Sequence, residues 1–194
     1  MSEIIETETS YVKGENFEKL FAEYMKSNLG WDGCRVRAQQ KGKANSKGAQ
    51  VDIIAYKSDK RGKNLEKLAI GYLIVMVIGF IWGYLEDEIL IMIGGLIFGA
   101  LALFSVYQST NLHRENAWVE CKNLKKKATY EQVQKCINEF KDYRASGDKE
   151  FKYVALYFVS AAGFVENALK LAIDNNIGCY EYKNGKFEKV TYWK

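Results

Sequence analysis

Three side chains widely separated in the sequence have the types and surroundings for metal-assisted chemistry. Asp52 sits in the middle of the apolar run QVDIIAY (50–56), and Glu120 sits in a second run, AWVECK (117–122), with Lys122 two residues on. Residues two apart on a strand share a face, so Glu120 and Lys122 point the same way. A carboxylate buried within an apolar strand is costly unless something compensates it, and a divalent cation shared by two carboxylates is one effective compensation. A cation held by Asp52, Glu120 and the backbone carbonyl of Cys121 would polarise a phosphodiester and lower the pKa of bound water. Lys122 beside them would meet developing negative charge or help deprotonate an attacking water. A lone Asp in one strand and ExK in another also arise by chance in many α/β proteins, so the surrounding elements must be weighed with them.

Those elements can be read in order. Phe17, Leu20, Phe21, Tyr24 and Met25 recur at helical spacing and predict a helix over 14–29, ended by Gly30. A short strand at 34–38, a polar loop rich in glycine and lysine at 39–48, and the Asp52 strand follow. After the Glu120 strand, Thr129 is placed to cap a helix running to about Tyr143, with Gln132 at the spacing of a capping box. YVALYFVS (153–160) is nearly continuous in apolar residues, as in a central strand covered on both faces. A helix over 164–175 comes next. Strands at 178–182 and 187–192 then flank Asn184-Gly185, a strong hairpin signal. The order predicts an α/β sandwich with a mixed central sheet.

Two uncharged runs interrupt that order: LAIGYLIVMVIGFIWGY (68–84) and ILIMIGGLIFGALALFSVY (89–107). Each is close to the roughly 20 residues that span a hydrocarbon core. Only Leu85, Glu86, Asp87 and Glu88 separate them, so they predict a two-helix transmembrane hairpin with an acidic tip. Lys57, Lys60, Arg61, Lys63 and Lys67 precede it and Arg114 follows, which the positive-inside rule reads as both ends cytoplasmic. Gly79 and Gly83, and Gly95 and Gly99, each form GxxxG, the spacing that lets helices approach closely in lipid. His113 shows no partner pattern and reads as a solvated juxtamembrane residue.

The chain carries a formal charge of +4, and it is more basic still once Glu86, Asp87 and Glu88 of the apolar insert are set aside. Cys34, Cys121, Cys136 and Cys179 show no metal-ligand spacing and no disulfide framework, which suits a reducing cytosol. Residues 1–11 are acidic and polar, unlike a cleaved secretory signal.

Gly14-Glu15-Asn16-Phe17-Glu18, Val51-Asp52-Ile53-Ile54, Val119-Glu120-Cys121-Lys122 and the late run FVSAAGF (158–164) followed by Ala168 together resemble the restriction-endonuclease-like PD-(D/E)xK nucleases, specifically their Mrr-like branch. The resemblance covers nearly all of the chain outside the hairpin. It implies a magnesium-dependent endonuclease, with manganese as a substitute, in which Asp52, Glu120 and the Cys121 backbone hold the metal and Lys122 assists the attacking water. It adds Glu18 of the first helix and Gln134, or its neighbour Gln132, of the helix after ExK. Glu18 could equally be an acid favourable to a helix N-terminus, and Gln134 an ordinary exposed helix residue. Val51 stands where the family name has proline, and the insert between the Asp and ExK strands is unusual.

The expected organisation is a flexible N-terminus at 1–13, two parts of one nuclease domain at 14–67 and 108–194, and the transmembrane hairpin at 68–107. The expected place is the inner membrane, multi-pass, with both termini and the nuclease domain cytoplasmic. Lys41, Lys43 and Lys47, and Lys125, Lys126 and Lys127, could contact DNA backbone phosphates, or else anionic lipid headgroups. The sequence leaves oligomeric state open, although double-strand cleavage by one such site usually needs two protomers, as a homodimer would supply. The competing reading is a catalytically silent, membrane-tethered module that binds nucleic acid or protein. A pore subunit is disfavoured, because the hairpin lacks the intramembrane polar residues that mark an ion path.

Overall fold

The computed structural model describes the backbone of residues 2–40, 49–145 and 152–191, and side-chain surroundings for 14–38, 50–145 and 152–191. Among the described residues it holds five helices and six strands. They are α1 (Ser2–Asn28), β1 (Gly33–Gln40), β2 (Ala49–Ser58), α2 (Lys60–Leu85), α3 (Ile89–Leu112), β3 (Arg114–Lys122), α4 (Tyr130–Ala145), β4 (Lys152–Ser160), α5 (Glu166–Asp174), β5 (Gly178–Lys183) and β6 (Lys186–Lys189). They divide into two compact units, Ser58–Glu115 and the remainder of the chain on either side of it.

In the larger unit one six-stranded mixed sheet runs in the order β1-β2-β3-β4-β5-β6. β1 with β2 and β5 with β6 are antiparallel, and β4 with β5 is parallel. The sheet separates two cores. On one side Phe17, Phe21, Ala22 and Met25 of α1 pack against Ile53, Ala55, Ala117, Val119, Val159 and Tyr180. On the other, Val133, Cys136 and Ile137 of α4 and Ala168 and Ala172 of α5 pack against Val51, Ile54, Trp118, Leu156 and Phe158. Apolar residues on both faces of β3 and β4 explain why β4 reads as a near-continuous apolar run. The architecture is thus a helix layer, a mixed sheet and a second helix layer.

Local chemistry accounts for the boundaries. The Gln132 side chain accepts the Thr129 N–H at 3.0 Å, one half of the expected capping box at the start of α4. Asn184 and Gly185 have φ of 49° and 78°, the two left-handed residues that a two-residue type I′ hairpin demands. The described part of the last strand ends at Lys189, short of the expected Tyr192, which lies outside the described residues. α1 begins at Ser2 rather than Gly14, so residues 2–13 are helical where a flexible terminus was expected. Gly14 is the one strong helix breaker in that stretch, and a single internal glycine costs only about 1 kcal/mol.

The smaller unit is a helical hairpin. α2 and α3 are long and apolar enough to cross a membrane. Their apolar residues are not covered as in a soluble core: Leu90 is 77% exposed and Leu103 73%. The helices meet where they are thinnest, since a Cβ on Gly95 would lie only 3.2 Å from the Met76 carbonyl oxygen. At the base of the hairpin Asp59 caps α2 by accepting the Gly62 N–H at 2.8 Å, and its own N–H donates to the His113 carbonyl at 2.8 Å. His113 therefore has a partner, contrary to its expected solvation: its Nδ1 lies 3.3 Å from Asp59 Oδ2. Fifty-odd intervening residues hide that pairing from any local pattern.

Candidate metal and phosphodiester site

β2 and β3 are neighbours in the sheet, which brings Asp52 beside the Glu120–Lys122 segment. Asp52 Oδ2 accepts the Cys121 N–H at 2.7 Å, so the first carboxylate is tied to the peptide between the other two residues. Ala117, Val119 and Cys121 belong to the α1 side of β3 and Trp118 to the α4–α5 side, so Glu120 and Lys122 alternate onto the latter. Lys122 Nζ and Glu120 Oε1 are 2.5 Å apart in a half-buried ion pair.

Burial dominates the electrostatics. It raises the Asp52 carboxyl, and the nearby Glu18 charge adds to the effect, while the Cys121 N–H and the charges of Lys122 and Arg37 oppose it. Glu120 is pushed up to about 7, first by burial and then by the negative charge of Asp52, with Lys122 only partly offsetting them. Burial alone would pull Lys122 down, but the carboxylates of Glu120 and Asp52 outweigh it and hold the ammonium above its usual range. Cys121 and Cys136 are both driven well up by burial, then by the neighbouring acids, and are inert thiols.

Glu18 lies on the buried face of α1, only 7% exposed, but Arg37 of β1 holds it from both sides: Nε to Oε2 at 2.9 Å and Nη2 to Oε1 at 3.2 Å. The sequence reading missed Arg37. The β1–β2 ladder pairs Val36 with Ile53 and Ala38 with Val51 but passes over Arg37 and Asp52. Arg37 has φ of 55°, rare for a residue with a side chain. The face alternation slips at the same place. Val36 leans on the α1-side core while Ala38 belongs to the opposite one, and Val51 joins the side of Ile54 rather than that of Ile53.

Gln134 is not brought to the carboxylates by any described contact: it donates to Asn138 along its own helix at 2.9 Å. It is about 140° round α4 from Glu139, whose charge is the one on this helix that raises Glu120. Glu139 is a second residue that the sequence reading missed, one helical turn beyond Cys136. Gln132 is used in the cap. Lys125, Lys126 and Lys127 are exposed on the connection between β3 and α4, while Lys41, Lys43 and Lys47 lie outside the described residues.

No family model matches the chain, and no curated protein matches it either. One solved structure, the crystal structure of a protein of unknown function, is similar to it at 12% identity with a TM-score of 0.48. The match takes in 90% of this chain and 61% of the length of that one.

Among the described residues no three or more His, Cys, Asp and Glu side chains are grouped to hold a metal ion. Magnesium asks for less, since it keeps several waters and takes one or two carboxylates. Asp52 and Glu120 fit that demand on chemical grounds: they are two partly buried acids, both raised by burial and Glu120 further by the charge of Asp52, and each has one oxygen committed to a neighbour. On a strand a residue's N–H and C=O face the same neighbour; the Cys121 N–H meets Asp52 of β2 while the Lys122 C=O accepts the Ala161 N–H on the other side, so the Cys121 carbonyl faces β2 and would be the third donor.

The raised acids predict a pH effect. In the folded protein Glu120 titrates near 7 against an ordinary 4.5, and Asp52 is shifted in the same direction from 3.8. The folded state then binds more protons than the unfolded one between those values, so stability falls as pH rises from about 4.5 through 7. A divalent cation at the acids should reverse this. Thermal unfolding of the detergent-solubilised chain is expected to show a larger magnesium-induced rise in Tm at pH 8 than at pH 5; equal rises would refute it.

Proposed function

We propose that the chain is a membrane-anchored, metal-dependent endonuclease that hydrolyses DNA phosphodiester bonds, with Asp52, Glu120 and Lys122 as its catalytic residues. The observation that carries this reading is the hydrogen bond from the Cys121 amide to Asp52, which draws two buried acids and a lysine from separate strands to one place on the sheet. The resemblance to the Mrr-like nucleases supports it in the same residues. Asp52, Glu120 and the Cys121 carbonyl would hold magnesium or manganese. Such an ion, when bound, polarises the phosphodiester and acidifies coordinated water.

The side chains divide the remaining work. Lys122 stays protonated at neutral pH because the acids raise it, which favours its role as a cation facing developing phosphoryl charge over that of a base. Glu120, pushed up to about 7 before any cation binds, would release its proton on becoming a ligand, so cation binding should be coupled to proton release near neutral pH. The exposed Lys125, Lys126 and Lys127 beside ExK are placed to hold a polyanion, and their binding would weaken steeply with salt. α2 and α3 supply the anchor, and the lysines and arginine flanking them support cytoplasmic ends on both sides. A homodimer would give two such sites for the two strands of a duplex.

The test is cleavage of supercoiled plasmid by the detergent-purified chain with magnesium, with manganese and with EDTA. Nicked and linear products are expected with either ion and none with EDTA. Cutting that persists in EDTA, or none under any condition, would reject the reading.

A further inference from the structure

The Glu18–Arg37 pair is unexplained by a role in folding alone. Glu18 and Arg37, with side chains 10% and 20% exposed, are held in a bidentate pair whose two charges both act on Asp52. A buried ion pair roughly balances its own desolvation cost and is weak support for a fold. Arg37 also occupies a backbone conformation that costs on the order of 1 kcal/mol or more for any residue bearing a Cβ. The conformation coincides with the slip in face alternation opposite Asp52, where the ladder passes over both residues. Strain and buried charge therefore fall at the same position, and both hold the guanidinium on Glu18 of α1 at a place where Asp52, the one acid of β2, feels both charges.

We propose that Arg37 is a positioning residue that keeps Glu18 turned away from the Asp52–Glu120 pair, so that the cation is held by two acids rather than three. This rests on the reading of Asp52 and Glu120 as the cation's ligands. Counting formal charges with all groups ionised, Glu18, Asp52 and Glu120 are set against Arg37 and Lys122, one net negative charge. Arg37 and Glu18 thus cancel one another at the site. Removing either alone changes its charge by one unit in opposite directions, and removing Arg37 also frees Glu18 to turn toward the cation. The arrangement limits how tightly the ion is gripped, which suits a cation that must keep open positions for water and a phosphodiester.

The experiment is Mn2+ titration of the full-length, detergent-solubilised chain, followed by the loss of the free-ion electron paramagnetic resonance signal and without substrate. Against a divalent ion, one unit charge several ångströms away is worth roughly a tenfold change in affinity even with the full screening of bulk water, and more at lower permittivity. E18Q, which preserves shape, should bind Mn2+ about tenfold more weakly than wild type. R37G, which also relieves the left-handed backbone, should bind about tenfold more tightly, and R37Q should do the same if R37G does not fold. The double variant E18Q/R37G should return to within about threefold of wild type. If Arg37 were only a structural brace, its loss would leave affinity unchanged or weaken it, and either result overturns the proposal. Wild type that binds no Mn2+ would instead remove the ligand assignment beneath it.

Discussion

Asn in place of Asp52 is expected to cut plasmid cleavage by about a thousandfold, equivalent to roughly 4 kcal/mol of transition-state stabilisation, while leaving the protein as stable as before or more so. The two halves of that expectation have separate causes. Asp52 is a carboxylate whose burial raises its pKa, so in the cation-free chain its charge is a net cost to folding. Asn keeps the shape and can still accept the Cys121 N–H through its carbonyl oxygen, which preserves the contact between β2 and β3. What it removes is the negative charge, and with it one of two ligands for a hard cation. Initial rates with saturating magnesium and urea midpoints on the same preparations would check both halves. Activity within tenfold of wild type would remove Asp52 from the site, and a large loss of stability would mean that it acts as a brace. K122M in the same assay should lose on the order of a hundredfold or more, since Glu120 forfeits its ion-pair partner and the phosphoryl group its cation.

The second large effect concerns folding. Trp118 is fully buried on the strand that carries Glu120 and Lys122, and its indole packs against Phe140, Tyr143 and Tyr153 with ring centroids about 6 Å apart. Trp118→Ala empties the middle of the core between β3 and α4 and is expected to cost about 3–5 kcal/mol. Its Nε1–H is buried without a hydrogen-bond partner among the described residues. Trp118→Phe removes that unsatisfied donor together with some apolar area, two terms that nearly cancel, so it should lie within about 1.5 kcal/mol of wild type. Denaturant unfolding of the three proteins gives the comparison. A Phe variant as unstable as the Ala variant would show that the indole N–H has a partner, such as a buried water, that supports the fold.

The sequence reading reached the order of the elements because each signal was local. The short apolar run AWVECK marks β3, Asn184-Gly185 marks the last hairpin, and Thr129 with Gln132 marks the start of α4. Asp52 and Glu120 could be picked out for the same reason, each being an acid within an apolar run. Arg37 could not. In CRVRAQ it looks like one of two outward-facing arginines of an alternating strand, and nothing in the letters says that its φ turns positive and redirects it onto Glu18. Gln134 raises a related difficulty: a glutamine on α4 is visible, but which flank of α4 meets the carboxylates depends on how the helix is rolled on the sheet, and the described contact of Gln134 is with Asn138 of its own helix. Glu139 holds that flank. The pairing of Asp59 with His113 was hidden by distance along the chain.

That pairing also bears on how such a chain could have arisen. The hairpin leaves and rejoins the chain at residues joined by one peptide hydrogen bond, Asp59 N–H to His113 C=O at 2.8 Å, so its two stems are clasped before either helix begins. For a segment closed in this way, the entropy of loop closure grows only slowly with what lies beyond the clasp. A short turn, a longer loop or a pair of lipid-spanning helices could therefore be exchanged there as a cassette at little cost to the join. Attachment to a bilayer would then be a portable trait, gained or lost between β2 and β3 without rewriting the residues of either strand.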